Sequence, residues 1–234
     1  MTNEMRGVAV VSGGGSGIGR EIARALARRG HPLALLGRRQ GPLEETLAGG
    51  EGLVLPCDVR DAEAVATAAR QVERRWGAAS LVVPAAGLAA ISPLEETSPE
   101  RFRELLDTNL TGVFLLLRAL LPAMRRQGSG WIFPILSTAA QRGFPGWSAY
   151  CASKWGLAGL VAALREELRG SGVRLTALYP GATASPLWDD LPGEWNRALM
   201  VPPREVARAV VHALDADPTT LVEEIHLGPA GGAL

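Results

Sequence analysis

Lysine is almost missing from this chain: of its 24 basic residues 23 are arginine, and the single lysine is Lys154. Tyrosine is nearly as scarce, with Tyr150 and Tyr179 the two present. Cysteine is limited to Cys57 and Cys151, which form neither a disulfide framework nor a metal-ligand spacing, so we expect no metal and two ordinary thiols of a cytoplasmic protein. Neither sign of charge is in excess, because 24 acidic residues balance the 24 basic ones. No half of the chain is conspicuously basic, which removes the drive toward a nucleic-acid partner. No apolar run approaches the ~18 residues of a membrane span, and the start, Met1 to Gly7, is polar, so neither a span nor a secretory leader is expected.

Apolar residues make up 47% of the 234, enough for the core of one large α/β domain. Runs that are apolar throughout alternate with helical periodicity. Strands are expected at 7–12, 32–36, 53–56, 81–83, 131–136, 174–178 and 221–227. Helices are expected at 17–29, at 61–76 with Asp61 as N-cap, from 98 with Pro99 at its first position, at 110–127 with an interruption at Pro122, at 148–169 and at 203–214. Strands apolar on both faces and separated by helices predict a doubly wound, parallel, seven-stranded sheet covered on both sides. With no repeat, low-complexity tract or linker, residues 1–234 read as a single domain. Ligands of such sheets bind beyond the carboxyl ends of the strands, where the unusual residues of this chain cluster.

Ser12 to Gly19 read Ser-Gly-Gly-Gly-Ser-Gly-Ile-Gly and connect the first strand to the first helix. Glycines let backbone approach a pyrophosphate, and the helix start offers free N–H groups. That context makes Gly13, Gly15, Ser16, Gly17, Ile18 and Gly19 a candidate dinucleotide cradle. The second strand ends in Gly37-Arg38-Arg39, where an acidic residue would favour NAD. Two guanidiniums there suit a 2′-phosphate and point to NADP(H), with one of the two expected to be a solvated loop charge. Asp58, followed by Val59, either meets the adenine amino group or caps a helix. Tyr150 and Lys154 stand at i and i+4 of a helix, on one face. An ammonium beside a phenol favours the phenolate, which is what a tyrosine needs to act as a base near neutral pH. Ser137, at the end of the fifth strand, is placed to orient a substrate carbonyl.

These motifs, in this order, make the sequence resemble the single-domain short-chain dehydrogenases/reductases over nearly its full length. The residues carrying the likeness are the glycine turn at 13–19, Asp58-Val59, Ala85-Ala86-Gly87, Asn109-Leu110-Thr111-Gly112, Ser137, Tyr150-Cys-Ala-Ser-Lys154 and Pro180-Gly181. The resemblance implies a Rossmann-type fold and interconversion of a ketone and a secondary alcohol by hydride transfer. It assigns Tyr150 as general acid/base, Lys154 to lower its pKa and bind ribose, Ser137 to polarise the carbonyl, and Asn109 to hold a water in a proton relay. By the same likeness Ala86 and Gly87, the backbone after Pro180 and Gly181, and the Thr183 side chain contact the cofactor, and about 182–202 covers the substrate. A homodimer or homotetramer through the helices at 110–127 and 148–169 is also implied. A catalytically silent NADP-binding sensor is the alternative, against which the intact Asn109, Ser137, Tyr150 and Lys154 argue.

Two departures stand out. Pro84 and Pro134 occupy positions where the family often has asparagine, and proline in a central strand removes a ladder donor. We expect the two prolines to face one strand seam, with a local compensation. Trp147, Phe144, Leu187, Trp188, Leu191, Trp195, Leu199 and Met200 either line an apolar pocket or pack within the covering segment. Arg142 and Arg197 either bind a carboxylate or are solvated. A moderately apolar ketone or secondary alcohol is the expected substrate, 3-oxoacyl and 3-hydroxyacid compounds included.

Overall fold

The computed structural model describes residues 7–217 and 219–232. The expectation for the N-terminal segment therefore falls mostly outside the described residues. Strands β1 (Ala9–Ser12), β2 (Leu33–Gly37), β3 (Gly52–Pro56), β4 (Leu81–Pro84), β5 (Gly130–Ile132) and β6 (Val173–Leu175) form one parallel sheet in the order β3-β2-β1-β4-β5-β6. Strands β7 (Ala177–Pro180) and β8 (Glu224–Leu227) form a second, two-stranded parallel sheet. The expected seven-stranded sheet is thus six-stranded, joined to the pair β7-β8 by a single bridge between Ile135 and Leu178.

Period-two alternation explains how the sheet buries both faces. Val10, Ala34, Leu36, Val82 and Ile132 point to the side covered by α3 (Ala62–Trp76), α5 (Gly112–Gln127) and α6 (Ser148–Glu167). Val11, Leu33, Leu35, Val83 and Trp131 point to the side covered by α1 (Gly17–Arg28) and α7 (Pro203–Leu214). Helix α2 (Gln40–Leu47) lies where the sequence suggests no element, and α4 (Pro99–Leu106) starts with Ser98 as cap and Pro99 at its first turn. Asp61 caps α3, accepting from the backbone of Glu63 and Ala64.

The stretch Pro99–Gln127 is helical throughout, and Pro122 does not interrupt it as expected. A π-helical turn, Asp107–Thr111, joins α4 to α5. This stretch is long and apolar enough to cross a membrane by length and composition, which the sequence reading did not anticipate. Val113, Leu116, Leu117, Leu120 and Met124 nevertheless pack into the sheet core, so the helix uses its apolar face inside the fold.

The prolines account for where β5 stops. Phe133 N donates to Val82 O and Ile135 N to Pro84 O, so the next rung would need an N–H at residue 84 donating to Phe133 O. Pro84 has none, and the β4–β5 ladder ends at Ile132. On the other side, Thr176 N donates to Ile132 O and Leu178 N to Pro134 O, so the rung between them needs an N–H at residue 134. Each proline deletes one rung, but on opposite sides of β5, not on one shared seam. The loss at Pro134 is what separates β6 from β7.

Candidate active site

The strand order reverses between β1 and β4, and a cleft of about 840 Å³ opens there at the carboxyl ends of the strands. Its first wall is the glycine turn. Gly13 has φ +67°, and a side chain there would come within 2.7 Å of Ala86 N. Ser12 Oγ accepts from the backbone N–H groups of Ala85 and Ala86 at 3.2 and 3.3 Å, which brings the β4 exit loop against the turn. A Cβ on Gly19 would collide with Gly13 O, so the glycines are required by this close approach. Ser16 caps α1 without a side-chain bond, and the first turn of α1 holds no acidic residue. Its free N–H groups and positive dipole end thus face the cleft with no carboxylate in the helix's own first turn. Arg20 fastens the turn from behind by donating to Gly15 O and to Glu45.

A smaller recess of about 160 Å³ adjoins this wall, lined among others by Gly37, Arg38, Arg39, Asp58, Val59 and Thr108. Arg38 and Arg39 are exposed, and neither makes a hydrogen bond or ion pair with the described residues. The Asp58 carboxylate is gripped by Arg60 from Nε at 3.0 Å and Nη2 at 2.6 Å, and this holds its pKa below the usual carboxylate range. Asp58 thus sits in the recess with its charge already partnered. It caps no helix; Asp61 does that. A glycine cradle, a helix start with no carboxylate in its first turn and two unpaired guanidiniums beside it fit a phosphorylated dinucleotide.

The floor of the cleft carries the candidate chemistry. Helix α6 presents Tyr150 and Lys154, both buried, one turn apart. Burial pushes the Tyr150 phenol up to about 12, and interaction with the Ser137 hydroxyl offsets this in part. Burial alone pulls Lys154 down to about 8. The expectation that the ammonium would depress the phenol is therefore not met: desolvation dominates, and Lys154 Nζ donates to Ile135 O at 3.0 Å, 5.8 Å from the centre of the Tyr150 ring. Ser137 Oγ accepts from Ala139 N at 3.1 Å, so its hydroxyl hydrogen points to the Tyr150 phenol and the cleft.

Asn109, on the π-helical turn, is 0% exposed. Its Oδ1 accepts from Leu88 N at 2.8 Å, and its Nδ2 donates to Leu88 O and Ser153 Oγ, each at 2.9 Å. Ser153 in turn donates to Tyr150 O at 2.7 Å. Through these bonds the amide of Asn109 ties the β4 exit loop to the helix that carries the tyrosine. Ser153 and Ser12 also hold the site together, a part that nothing in the sequence pattern assigns to them. Both lie inside quoted motifs, but a serine that bonds backbone has no pattern of its own.

The far wall comes from the segment after β7. Pro180, Gly181 and Thr183 line the cleft, and Thr183 is buried with its hydroxyl donating to Gly181 O at 3.0 Å. Phe144, Trp147, Leu187, Trp188 and Trp195 also line it, whereas Leu191 and Met200 are buried in packing. Arg197 is paired with Asp189, and the Arg142 guanidinium lies over the Phe144 ring.

The family model of the short chain dehydrogenases matches residues 7–194. A sepiapterin reductase of Chlorobaculum tepidum is 37% identical over 97% of this chain and 98% of its own length. Among solved structures, an alcohol dehydrogenase from the archaeon Thermococcus sibiricus, complexed with 5-hydroxy-NADP, superposes with a TM-score of 0.87 at 35% identity, covering 95% of this chain and 96% of that one. A metagenomic short-chain oxidoreductase in complex with NADP gives 0.82 at 31% identity, covering 97% and 98%. The chain belongs to the short-chain dehydrogenase/reductase family and is an oxidoreductase acting on the alcohol–carbonyl pair.

Proposed function

We propose that the chain interconverts a ketone and a secondary alcohol with NADP(H), residues 1–234 acting as one domain. The observation that carries this is the convergence of Ser137, Tyr150 and Lys154 on the floor of a cleft whose opposite wall is the glycine cradle. When bound, the cofactor supplies or accepts the hydride. Gly13, Gly15, Ser16, Gly17, Ile18 and Gly19 would hold its pyrophosphate. Arg38 and Arg39 would take a 2′-phosphate, Asp58 and Val59 would border the adenine, and Ala86, Gly87, Pro180, Gly181 and Thr183 would flank the nicotinamide half. The NADP and 5-hydroxy-NADP of the two structural relatives support that choice.

In the reductive direction the substrate oxygen gains negative charge and needs donors. A phenol raised to about 12 is protonated at neutral pH and still more acidic than an alcohol, so Tyr150 gives its proton to that oxygen. Ser137 Oγ supplies the second hydrogen bond. Lys154, below its pKa of about 8, lends positive charge to the phenol as the proton leaves, and would bind the cofactor ribose. Asn109 we assign as a positioning residue, because both polar atoms of its side chain bond Leu88 and one also bonds Ser153. Assembly as a dimer or tetramer through α5 and α6 fits Phe114 and Trp155, which are 45% and 53% exposed on those helices. Two free, buried cysteines suit the cytoplasm. The test is oxidation of NADPH and NADH with a panel of ketones and 3-oxo esters: turnover with preference for NADPH is expected, and cofactor binding without any carbonyl turnover would overturn the reading.

A further inference from the structure

The substrate half of the cleft is walled by aromatic rings that run outward from the catalytic phenol. Trp147 stands edge-on to Tyr150, with centroids 5.4 Å apart and planes at 65°. Trp188 stands edge-on to Trp147 at 5.9 Å, and Trp195 leans on Trp188 at 4.7 Å. Phe144 flanks Trp147 at 6.5 Å. All of these rings line the cleft, and Trp147, Trp188 and Trp195 are half-buried, so each keeps part of its surface open.

Two of the rings differ in how they are held. Trp188 is fixed, its indole N–H donating to Thr183 O at 2.9 Å, and Thr183 is bridged to Val201. The indole N–H of Trp195 is buried without an acceptor among the described residues, so that ring is held by packing against Trp188 and Gly193 and not by a hydrogen bond of its indole. The slot therefore has a rigid inner wall beside the reaction centre and an adjustable outer one. Aromatic walls reward a ligand that presents a π face and polarised edge more than they reward a flexible alkyl chain, which gains contact area but no ring geometry. Of the cations nearby, Arg197 is paired with Asp189 and Arg101 with Glu104, while the Arg142 guanidinium lies over the Phe144 ring and keeps its charge.

Resting on the carbonyl-reducing reading above, we propose that the substrate is an aryl ketone, its ring seated against Trp147 and Trp188 and its carbonyl at Tyr150. Trp188 is the residue that sets this specificity. Two ring contacts of this kind correspond to about tenfold in kcat/KM.

The experiment compares 2-acetylnaphthalene with cyclohexyl methyl ketone, using NADPH, in the native enzyme, Trp188→Leu and Trp188→Phe. The aryl ketone is expected to be preferred by about tenfold or more in the native enzyme, by under about threefold in Trp188→Leu, and by about tenfold once more in Trp188→Phe. Equal kcat/KM values for the two ketones in the native enzyme would overturn the proposal, as would a preference that survives in Trp188→Leu. If Trp188→Leu does not fold, the Trp188→Phe and native ratios still decide. If neither ketone is reduced, it is the activity reading that falls, and equilibrium dialysis of both ketones against the NADP-loaded protein judges the slot. Tighter binding of the naphthyl ketone then supports it, and equal or absent binding overturns it.

Discussion

Asn109 provides the sharpest stability prediction, because every polar atom of its side chain has a partner in the protein. Replacing it with alanine deletes three hydrogen bonds and leaves Leu88 N–H, Leu88 O and the Ser153 hydroxyl to find others. A lost intramolecular hydrogen bond costs about 0.5–1.5 kcal/mol net, and a buried group left without a partner about 1–3 kcal/mol. Leu88 is half-buried and recovers some solvation, so the expected loss for Asn109→Ala is about 2–4 kcal/mol. At about 2–4 °C per kcal/mol for a chain of this size, the melting temperature should fall by about 5–15 °C. Urea unfolding followed by the fluorescence of the six tryptophans measures it. Ser153→Ala should cost about 1 kcal/mol alone and add less than its full effect to Asn109→Ala, since the two share one bond. A loss below about 1 kcal/mol for Asn109→Ala would refute the assignment of its side chain as the tie between the β4 exit loop and α6.

Removing the unpaired arginines tests the cofactor choice. The double change Arg38→Ala with Arg39→Ala should raise KM for NADPH by about 10- to 100-fold, as expected from losing a charge-assisted bond, while KM for NADH moves by less than about threefold. Equal shifts for both cofactors would contradict it. Lys154 has a folded-state pKa pulled down to about 8 from an ordinary 10.5, so keeping it charged costs stability below about pH 8, and the cost is relieved as pH rises from there toward 10.5. Lys154→Met should therefore gain more stability relative to the native protein at pH 7 than at pH 10 in urea melts, and an advantage growing with pH would show the sign to be wrong. Gly19→Ala puts a Cβ against Gly13 O, and should abolish NADPH binding in calorimetry while circular dichroism retains the α/β signature.

Much of this architecture is legible in the sequence because it rests on local signals. Ser98-Pro99 and Asp61 start helices where their side chains can cap, and the uniformly apolar strands announce a sheet buried on both faces. The strand ends were harder to read, because pairing is decided by the neighbour. Residues 131–136 have the composition of one strand, yet β5 closes at Ile132 because Pro84, nearly fifty residues earlier, cannot donate. Helix α2 escapes for the opposite reason: Gly41 and Pro42 mask a short helix that exists because Leu43 and Thr46 are buried. Pro122 reads as an interruption, but the packing of Leu116, Leu117, Leu120 and Met124 carries the helix through it. In the site, Tyr150 and Lys154 stand out by spacing and scarcity and Ser137 by its place at a strand end, and all three line one cleft. The direction of the tyrosine's pKa cannot be read that way, since it depends on how deeply α6 is buried and on where the lysine's hydrogen bond goes.

The central claim is that Tyr150 gives the substrate oxygen its proton in an NADP(H)-dependent carbonyl reduction. The most direct measurement is kcat for ketone reduction by Tyr150→Phe beside the dissociation constant for NADPH of the same variant. Loss of a positioned general acid should lower kcat by about 10²–10⁴-fold, with NADPH binding changed by less than about twofold. A Tyr150→Phe enzyme that reduces the ketone within about tenfold of the native rate would contradict the account.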